Sequence, residues 1–296
     1  MFGRGDRVHN GGYYIKTILS VLLVMLFSGQ IMAATPQRII SAMPSITEML
    51  FALELDNQIV GVTTNCNYPE AAGKKEKIGA MQVNLEKVAA LKPDLVVMLE
   101  ETQDKDIEKV TRFGLPVHSL SLKSVDDVMT AIIELGVVTD KKQKAREIVR
   151  DINQRLRQVA VRTKNMKPGI GDVLKLWQAK EEKREVLVIV GLKPLIVAGG
   201  GTFIDDVLQK AGVDNVAAKA KAAYPQYSFE KLVRQNPQYI IIPQQLVSKE
   251  ELQKSKRWQS LEAVRKDRVL SIDEDILSRP GPRVIEAVEQ IADFVY

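Results

Sequence analysis

The residue types best suited to catalysis or metal binding are scarce in this chain of 296 residues. It contains one cysteine, Cys66, and two histidines, of which only His118 lies beyond the N-terminal segment. One cysteine cannot form an internal disulfide or a cysteine-rich zinc site. No G-x-S-x-G elbow supplies an activated serine to pair with His118. We therefore predict a structural role for His118, no catalytic residues and no metal site, and keep an exported hydrolase or metalloenzyme as the alternative class.

Three further features have local structural explanations. The glycine run at residues 199–201, followed by Thr202, lacks the Gly-Lys-Ser/Thr ending of a phosphate-binding loop, so we predict a tight strand-to-helix turn. The stretch from Ser45 to Glu48 fits the S-x-x-E capping box, which predicts a helix start whose free N–H groups are also candidates to meet a ligand. Cys66 falls in a predicted loop, where it is either a spare thiol or an axial ligand of a bound metal centre.

One motif occurs once in each half of the chain. Asn84 in the first half and Ser228 in the second half each open a short helical run, in which Glu86 and Glu230 take the second position. An x-Pro pair ends each run before a β-rich segment. N-capping and the helix dipole explain each glutamate singly, but they do not explain why the same arrangement recurs.

The elements that must position these residues alternate along the chain. Strands are predicted at residues 38–41, 58–62, 94–99 and 116–120, and then at 172–177, 185–190, 195–198, 239–243 and 268–273. Helices are predicted at residues 46–55, 85–91 and 102–113, and then at 202–211, 229–235, 250–254 and 282–296. Such alternation predicts α/β architecture with largely parallel sheets.

A long helix separates the two halves. Apolar residues recur there at spacings of three and four, at Ala145, Ile148, Val149, Ile152, Leu156 and Val159. This spacing is typical of one face of a helix. We therefore predict an N-terminal α/β lobe over residues 35–138, a connecting helix over 139–165 and a C-terminal α/β lobe over 166–296.

The first 34 residues have the composition of a secretory signal peptide. Basic residues precede an apolar run at residues 18–27, and the small pair Ala33-Ala34 follows it. The alternative interpretation is a retained membrane anchor, but the run is well short of the roughly 20 residues that a spanning helix needs, so a cleaved signal is favoured. Loss of three basic residues and one acid would lower the net charge from +5 to +3, which does not suggest nucleic acid as a partner.

Several fragments, in this order and spacing, resemble those of a known family. They are RIIS at residues 38–41, PSITE at 44–48, VGV at 60–62, YP at 68–69, IG at 78–79, NLE at 84–86, LKPDL at 91–95, AGGGTF at 198–203, AG at 211–212, YPQ at 224–226 and PGPR at 280–283. The family is that of the helical-backbone (class III) periplasmic substrate-binding proteins of ABC importers, which serve cobalamin, ferric siderophores and haem. The resemblance covers nearly all of the chain after residue 34, and it is closest to the cobalamin-binding members.

The resemblance implies two Rossmann-like lobes joined by a single long helix, with the ligand in a cleft between the lobes. It implies that Glu86 and Glu230 dock onto arginines of the permease. The implied ligand-binding residues are Pro44, Ser45, Asn67, Tyr68, Met81, Gly191, Tyr224, Asp275 and Arg279.

The ligand that the resemblance implies first is a corrinoid, with a ferric siderophore or haem as the alternative. The protein would be exported and monomeric, with a leader cleaved near Ala33 or Ala34. Its partners would be the permease subunits and a small molecule, with no catalytic cofactor.

Overall fold

The structure is a computed structural model, and it describes residues 35–163 and 184–296. The N-terminal segment, the strand predicted at residues 172–177 and the last two residues of the predicted connecting helix lie outside the described residues.

The first sheet is built from five parallel strands in the order β3-β2-β1-β4-β5. These strands are β1 (Ile39–Ser41), β2 (Ile59–Val62), β3 (Glu76–Lys77), β4 (Leu95–Leu99) and β5 (Val117–Leu120). The helices of this lobe are α1 (Pro44–Ala52), α2 (Glu70–Gly73), α3 (Leu85–Ala90), α4 (Asp104–Arg112) and α5 (Val125–Val138). Four predicted strands are thereby confirmed, whereas the two-residue β3 was not predicted.

The second sheet has the order β10-β9-β6-β7, and β8 also pairs with β6. Its strands are β6 (Glu185–Leu192), β7 (Leu195–Val197), β8 (Asp214–Asn215), β9 (Tyr239–Pro243) and β10 (Val269–Ile272). Its helices are α7 (Phe203–Lys210), α8 (Phe229–Gln235), α9 (Lys249–Lys254), α10 (Glu262–Arg265), α11 (Glu274–Ser278) and α12 (Val284–Val295). Pairing is parallel except between β6 and β7, which form an antiparallel hairpin. The molecule therefore has two Rossmann-like α/β lobes.

Both faces of the central strands are buried, so their side chains alternate between two cores. In β1, Ile39 packs into a core that extends through both lobes, and Ile40 packs into a smaller cluster on the opposite face of the first sheet. In β6, Val186 joins the shared core and Leu187 joins a cluster confined to the second lobe. This alternation explains the nearly continuous apolar runs of the strand sequences.

The connecting helix is α6 (Lys142–Thr163), which follows α5 after a break that contains Asp140 in the left-handed region at φ 56°. Its predicted apolar face is confirmed, because Ala145, Ile152 and Val159 are buried in the shared core. Arg155 of α6 also binds the Glu289 carboxylate of α12 through Nε at 2.9 Å and Nη2 at 2.6 Å. The lobes are thus joined by one continuous core and not by a bare linker.

The glycine run forms the tight turn that the sequence predicts, between β7 and α7. A Cβ atom at Gly200 would lie 2.1 Å from the Ala218 carbonyl oxygen, a distance that only glycine avoids. Thr202 then caps α7 by accepting a hydrogen bond from the Asp205 N–H at 3.1 Å. Within the two described ranges, no helix is both long enough and apolar enough to cross a membrane.

Candidate functional site

The strand order of the first sheet reverses between β1 and β4, and such a switch point is where parallel sheets bind ligands, beyond the carboxyl ends of their strands. Gln103, which is buried, fixes the loops at this point. Its amide nitrogen donates to the Ala42 carbonyl at 3.1 Å and to the Met81 carbonyl at 3.5 Å, while its amide oxygen accepts from the Leu99 N–H at 3.0 Å. Gln103 was not among the predicted site residues, and it sets the backbone on which Met81 is carried.

Three predicted ligand-binding residues from the two lobes meet in one hydrogen-bonded group. The Asn67 amide donates to the Asp275 carboxylate at 3.1 Å. Arg279 donates through Nη1 to the Asn67 Oδ1 atom at 2.7 Å, and its Nη2 atom lies 2.7 Å from the Asp275 Oδ1 atom. Because Asn67 follows β2 while the other two residues follow β10, these contacts cross from one lobe to the other.

A buried ion pair lies beside this group. The Glu48 carboxylate of α1 accepts from Arg283 at both oxygens, from Nε at 2.8 Å and from Nη2 at 2.7 Å. Arg279 reaches the same carboxylate at 3.4 Å. The Arg283 guanidinium in turn lies over the Tyr68 ring, 3.8 Å from its centroid. We call these six residues the interlobe cluster: Glu48, Asn67, Tyr68, Asp275, Arg279 and Arg283.

Charge within the interlobe cluster is balanced. Each arginine faces a carboxylate, and the hydrogen bond to Glu48 raises the pKa of Arg283 further above its ordinary value. The remaining Arg279 contacts are to the Asn67 side chain and, at 3.5 Å, to the Asn65 carbonyl. Among the described residues, both arginines of the cluster are therefore paired with a carboxylate, and the groups left to meet a ligand are polar but carry no unpaired positive charge.

Large side chains among the predicted ligand-binding residues are exposed. Tyr68 is 46% exposed, Met81 64% and Tyr224 51%, so each has apolar surface that a ligand could cover. Partial desolvation of the phenol raises the pKa of Tyr224 above its ordinary value. Met81, Gly191 and Tyr224 lie outside the hydrogen-bonded cluster; Gly191 is half-buried in β6.

The capping-box prediction for Ser45 to Glu48 is wrong in its details. A helix does start here, but Met43 is the N-cap without a side-chain hydrogen bond, and Pro44 occupies the first turn. Proline is favoured there because its missing N–H needs no partner. The Glu48 carboxylate turns to Arg283 instead of the backbone, and the Ser45 hydroxyl, although buried, has no hydrogen-bond partner among the described residues.

The structure places Cys66 in the buried core and His118 in a strand of the first sheet. Cys66 is buried, and its sulfur lies 3.1 Å from the hydroxyl oxygens of both Thr47 and Thr63. His118 lies in β5, with Nε2 at 3.7 Å from a Glu134 carboxylate oxygen. Over residues 35–163 and 184–296, no group of three or more His, Cys, Asp and Glu side chains is arranged to hold a metal ion.

Glu86 and Glu230 occupy matching positions at the second residue of α3 and α8, and both are exposed. Asn84 caps α3 by accepting from the Lys87 N–H, and Ser228 caps α8 by accepting from the Lys231 N–H. These caps confirm the repeated motif.

The Glu230 carboxylate is held in its ionised form. Hydrogen bonds from its own backbone N–H, and then from the Ser228 hydroxyl, lower the pKa of Glu230, and the positive charge of Arg257 adds to this effect.

An open groove of about 720 Å³ lies between α6 and α12 and shares no lining residue with the interlobe cluster. It is lined by Gln154, Arg157, Gln158, Val161, Arg162, Glu289 and Asp293. We place the candidate site at the cluster, because there predicted ligand-binding residues from both lobes are brought into direct contact.

Comparisons with known proteins agree with this architecture. A family model described as periplasmic binding protein matches residues 39–276. An uncharacterised ABC transporter substrate-binding lipoprotein of Bacillus subtilis is 32% identical over 88% of this chain and 80% of its own length. Among solved structures, the periplasmic vitamin B12-binding protein of Vibrio cholerae has a TM-score of 0.73 and 26% identity, covering 88% of this chain and 96% of that one. A periplasmic haem-binding protein from Pseudomonas aeruginosa has a TM-score of 0.71 and 27% identity, covering 88% and 93%.

Proposed function

The chain belongs to the periplasmic binding protein family, and from that premise we propose that it captures a corrinoid in an interlobe cleft and delivers it to an ABC importer. It does no chemistry on the ligand. The predicted ligand-binding residues form the cleft walls, with Asn67, Asp275 and Arg279 as hydrogen-bonding groups and with Tyr68 and Tyr224 as flat apolar surfaces. Pro44, Ser45, Met81 and Gly191 complete the proposed contact set.

The observation that carries the corrinoid assignment is the balanced charge of the interlobe cluster. A corrinoid has a periphery of neutral amides, which exchange hydrogen bonds with groups such as Asn67 and Asp275. Haem carries propionate carboxylates, and these are best bound by an arginine with free N–H groups. Arg279 and Arg283 already face Asp275 and Glu48, so recruiting either of them would leave a carboxylate without its partner.

A second candidate is haem or a ferric siderophore. The similarity to a haem-binding protein favours haem. The low aromatic content of 5% favours a siderophore, because the flat faces of corrins and haems both pack on aromatic side chains. The two candidates differ in ligand and share the same fold, cleft and transport role.

Delivery would use Glu86 and Glu230 as one anchor per lobe. An exposed carboxylate at the second position of a helix offers both oxygens to a permease arginine in a charge-assisted, bidentate contact. Two anchors on separate lobes also fix the orientation of the protein on its partner. We further propose that the protein acts as a monomer outside the cytoplasm, after cleavage of its leader near Ala33 or Ala34.

A ligand screen tests the proposal. Purified protein is incubated in turn with cyanocobalamin, haemin and a ferric siderophore, desalted, and examined by absorbance and by titration calorimetry. Retention of cyanocobalamin at one equivalent supports a corrinoid binder, and retention of haemin or the siderophore alone selects the second candidate. Retention of none, with no heat of binding, contradicts a role in this ligand group.

A further inference from the structure

The ion pair between Glu48 and Arg283 is costly to bury and has no obvious stability role. The Glu48 side chain is 3% exposed and that of Arg283 15%. Removing two charges from water costs about as much as their attraction returns, so buried pairs contribute little net stability compared with well-packed apolar residues. Ile46, Met49 and Leu50, which flank Glu48 in α1, are all fully buried in the shared core, so an apolar residue would suit this helix.

The geometry gives the pair a different role. Arg283 is the N-cap of α12, a helix whose Val284 and Ile285 are buried in the shared core, so its backbone is fixed. Its long side chain is not fixed by that packing. The two hydrogen bonds that Arg283 donates to the Glu48 carboxylate set the plane of the guanidinium, since a bidentate contact allows one orientation.

That plane is the surface against which Tyr68 rests. The Cζ atom of the Arg283 guanidinium lies 3.8 Å from the Tyr68 ring centroid, well within the range of a cation–π contact. Tyr68 lies on the loop after β2 and is 46% exposed, so Arg283 covers part of the ring while much of it stays open to solvent. Arg279 holds the same loop through Asn67.

We propose that Glu48 is a positioning residue for the ligand: it fixes the Arg283 guanidinium, which holds the Tyr68 ring ready for the ligand to pack on. This inference rests on the proposed function, because it assigns Tyr68 to the cleft wall. Glu48 itself touches no ligand. We expect its contribution to affinity to pass through Arg283 and Tyr68, because its contact with Arg279 is long, at 3.4 Å, and Arg279 is held at 2.7 Å by both Asn67 and Asp275.

The first test follows the Tyr68 ring without any ligand. The purified protein is labelled with 3-fluorotyrosine, and the Tyr68 signal in the fluorine-19 NMR spectrum is assigned from its loss in Tyr68→Phe. Glu48→Gln and Arg283→Lys both remove the bidentate contact, so each should move the Tyr68 signal. Two variants are used because one of them could fail to fold.

The matched control is Glu289→Gln. It weakens a second bidentate arginine–carboxylate contact, that between Arg155 and Glu289, which does not involve Tyr68. This variant should leave the Tyr68 signal in place. An unmoved signal in Glu48→Gln and Arg283→Lys overturns the proposal, and so does a signal that moves as far in Glu289→Gln.

The second test is a double-mutant cycle on affinity for the probe that the wild-type protein binds in the ligand screen: cyanocobalamin, haemin or the ferric siderophore. Glu48→Gln should weaken binding by about tenfold, the scale of a well-placed aromatic contact. In a Tyr68→Ala background the same substitution should have no further effect. A tenfold loss that persists without Tyr68 overturns the proposal, because Glu48 would then act by another route.

Failure of the proposed function is separable from failure of this inference. If the wild-type protein binds none of the three probes, the ligand assignment is wrong, and the claim that Glu48 serves ligand binding is overturned with it. The NMR comparison still decides, on its own, whether Glu48 fixes the ring through Arg283.

Discussion

The Asn67 amide nitrogen lies 3.1 Å from an Asp275 carboxylate oxygen, although the two residues are 208 positions apart in the chain. Asn67 follows β2 of the first sheet, and Asp275 is the second residue of α11, the short helix after β10 of the second sheet. Arg279 binds both of them, so the three side chains connect the lobes where the ligand is proposed to sit. Their polar edges are then fixed before a ligand arrives, which reduces the entropy cost of binding.

Asn67→Ala should weaken cyanocobalamin binding by about tenfold, because losing one well-placed hydrogen bond costs about 1 to 1.5 kcal/mol. Titration calorimetry measures the change. The Asn67 side chain is exposed, so the melting temperature should hardly move. Asn153→Ala, on the connecting helix, is the control and should keep wild-type affinity. Equal affinity in Asn67→Ala and the wild type would remove this residue from the site.

Glu86→Ala combined with Glu230→Ala should keep ligand affinity and abolish import, since only the contact with the permease is lost. Glu250→Ala is a close control, because Glu250 is also exposed at the second position of a serine-capped helix. Import of radiolabelled ligand into cells that lack the native protein measures the effect. Undiminished import by the double variant, or an equal loss in the Glu250 variant, would contradict docking through these two residues.

The docking contact of Glu230 should tolerate acid better than an ordinary glutamate. Its pKa is lowered from the ordinary value of 4.5, so at a pH at which an ordinary glutamate is half protonated, a larger fraction of the Glu230 carboxylate stays charged. Any stability or binding that depends on this charge is therefore present above the ordinary pKa and lost as the pH falls through the lowered pKa.

Carbon-13 NMR titration of labelled glutamate carboxyls measures this midpoint. Ser228→Gly removes the hydroxyl donor while costing the helix cap only a few tenths of a kcal/mol, so the Glu230 pKa should rise towards its ordinary value. A midpoint unchanged by Ser228→Gly would show that the hydroxyl does not hold the charge.

Gly199→Ala should impair both stability and binding, because this glycine packs against the loop that carries Tyr224. A Cβ atom there would lie 2.7 Å from the Ala222 carbonyl oxygen and 2.9 Å from that of Ala223. The loop must shift, so we expect a loss of about 1 to 3 kcal/mol in the free energy of unfolding, typical of overpacking, together with weaker ligand binding. Urea denaturation and calorimetry measure the two effects. Gly73→Ala, where a Cβ atom meets nothing within 4 Å, should be neutral or slightly stabilising.

Local patterns were sufficient to predict most of the fold. The alternating strands have apolar runs because both of their faces are buried, and the face of the long helix follows its helical spacing. The helix starts at Asn84 and Ser228 could be predicted because an N-cap side chain bonds to a backbone N–H only three residues further along the chain. The strand β3 was not predicted, because its two residues, Glu76 and Lys77, are too few to show the alternation of apolar and polar residues that indicates a strand.

The contacts that define the site were harder to predict, since they join distant residues. Glu48 fits a local capping box, and nothing near it in the sequence points to Arg283, 235 positions away. Gln103 has no sequence signal either, because its role depends on three loops that meet only in the folded sheet. The PGPR fragment at residues 280–283 was the one available signal for Arg283, through the resemblance that it helps to carry.

Anomalous X-ray scattering at the cobalt edge, from crystals of the protein grown with cyanocobalamin, tests the central claim most directly. It locates the corrinoid metal without reference to any assumed pose. We expect one cobalt peak per molecule, beside the interlobe cluster and on the side of the exposed Tyr68 ring. No cobalt peak, or a peak outside this interlobe position, would contradict the account.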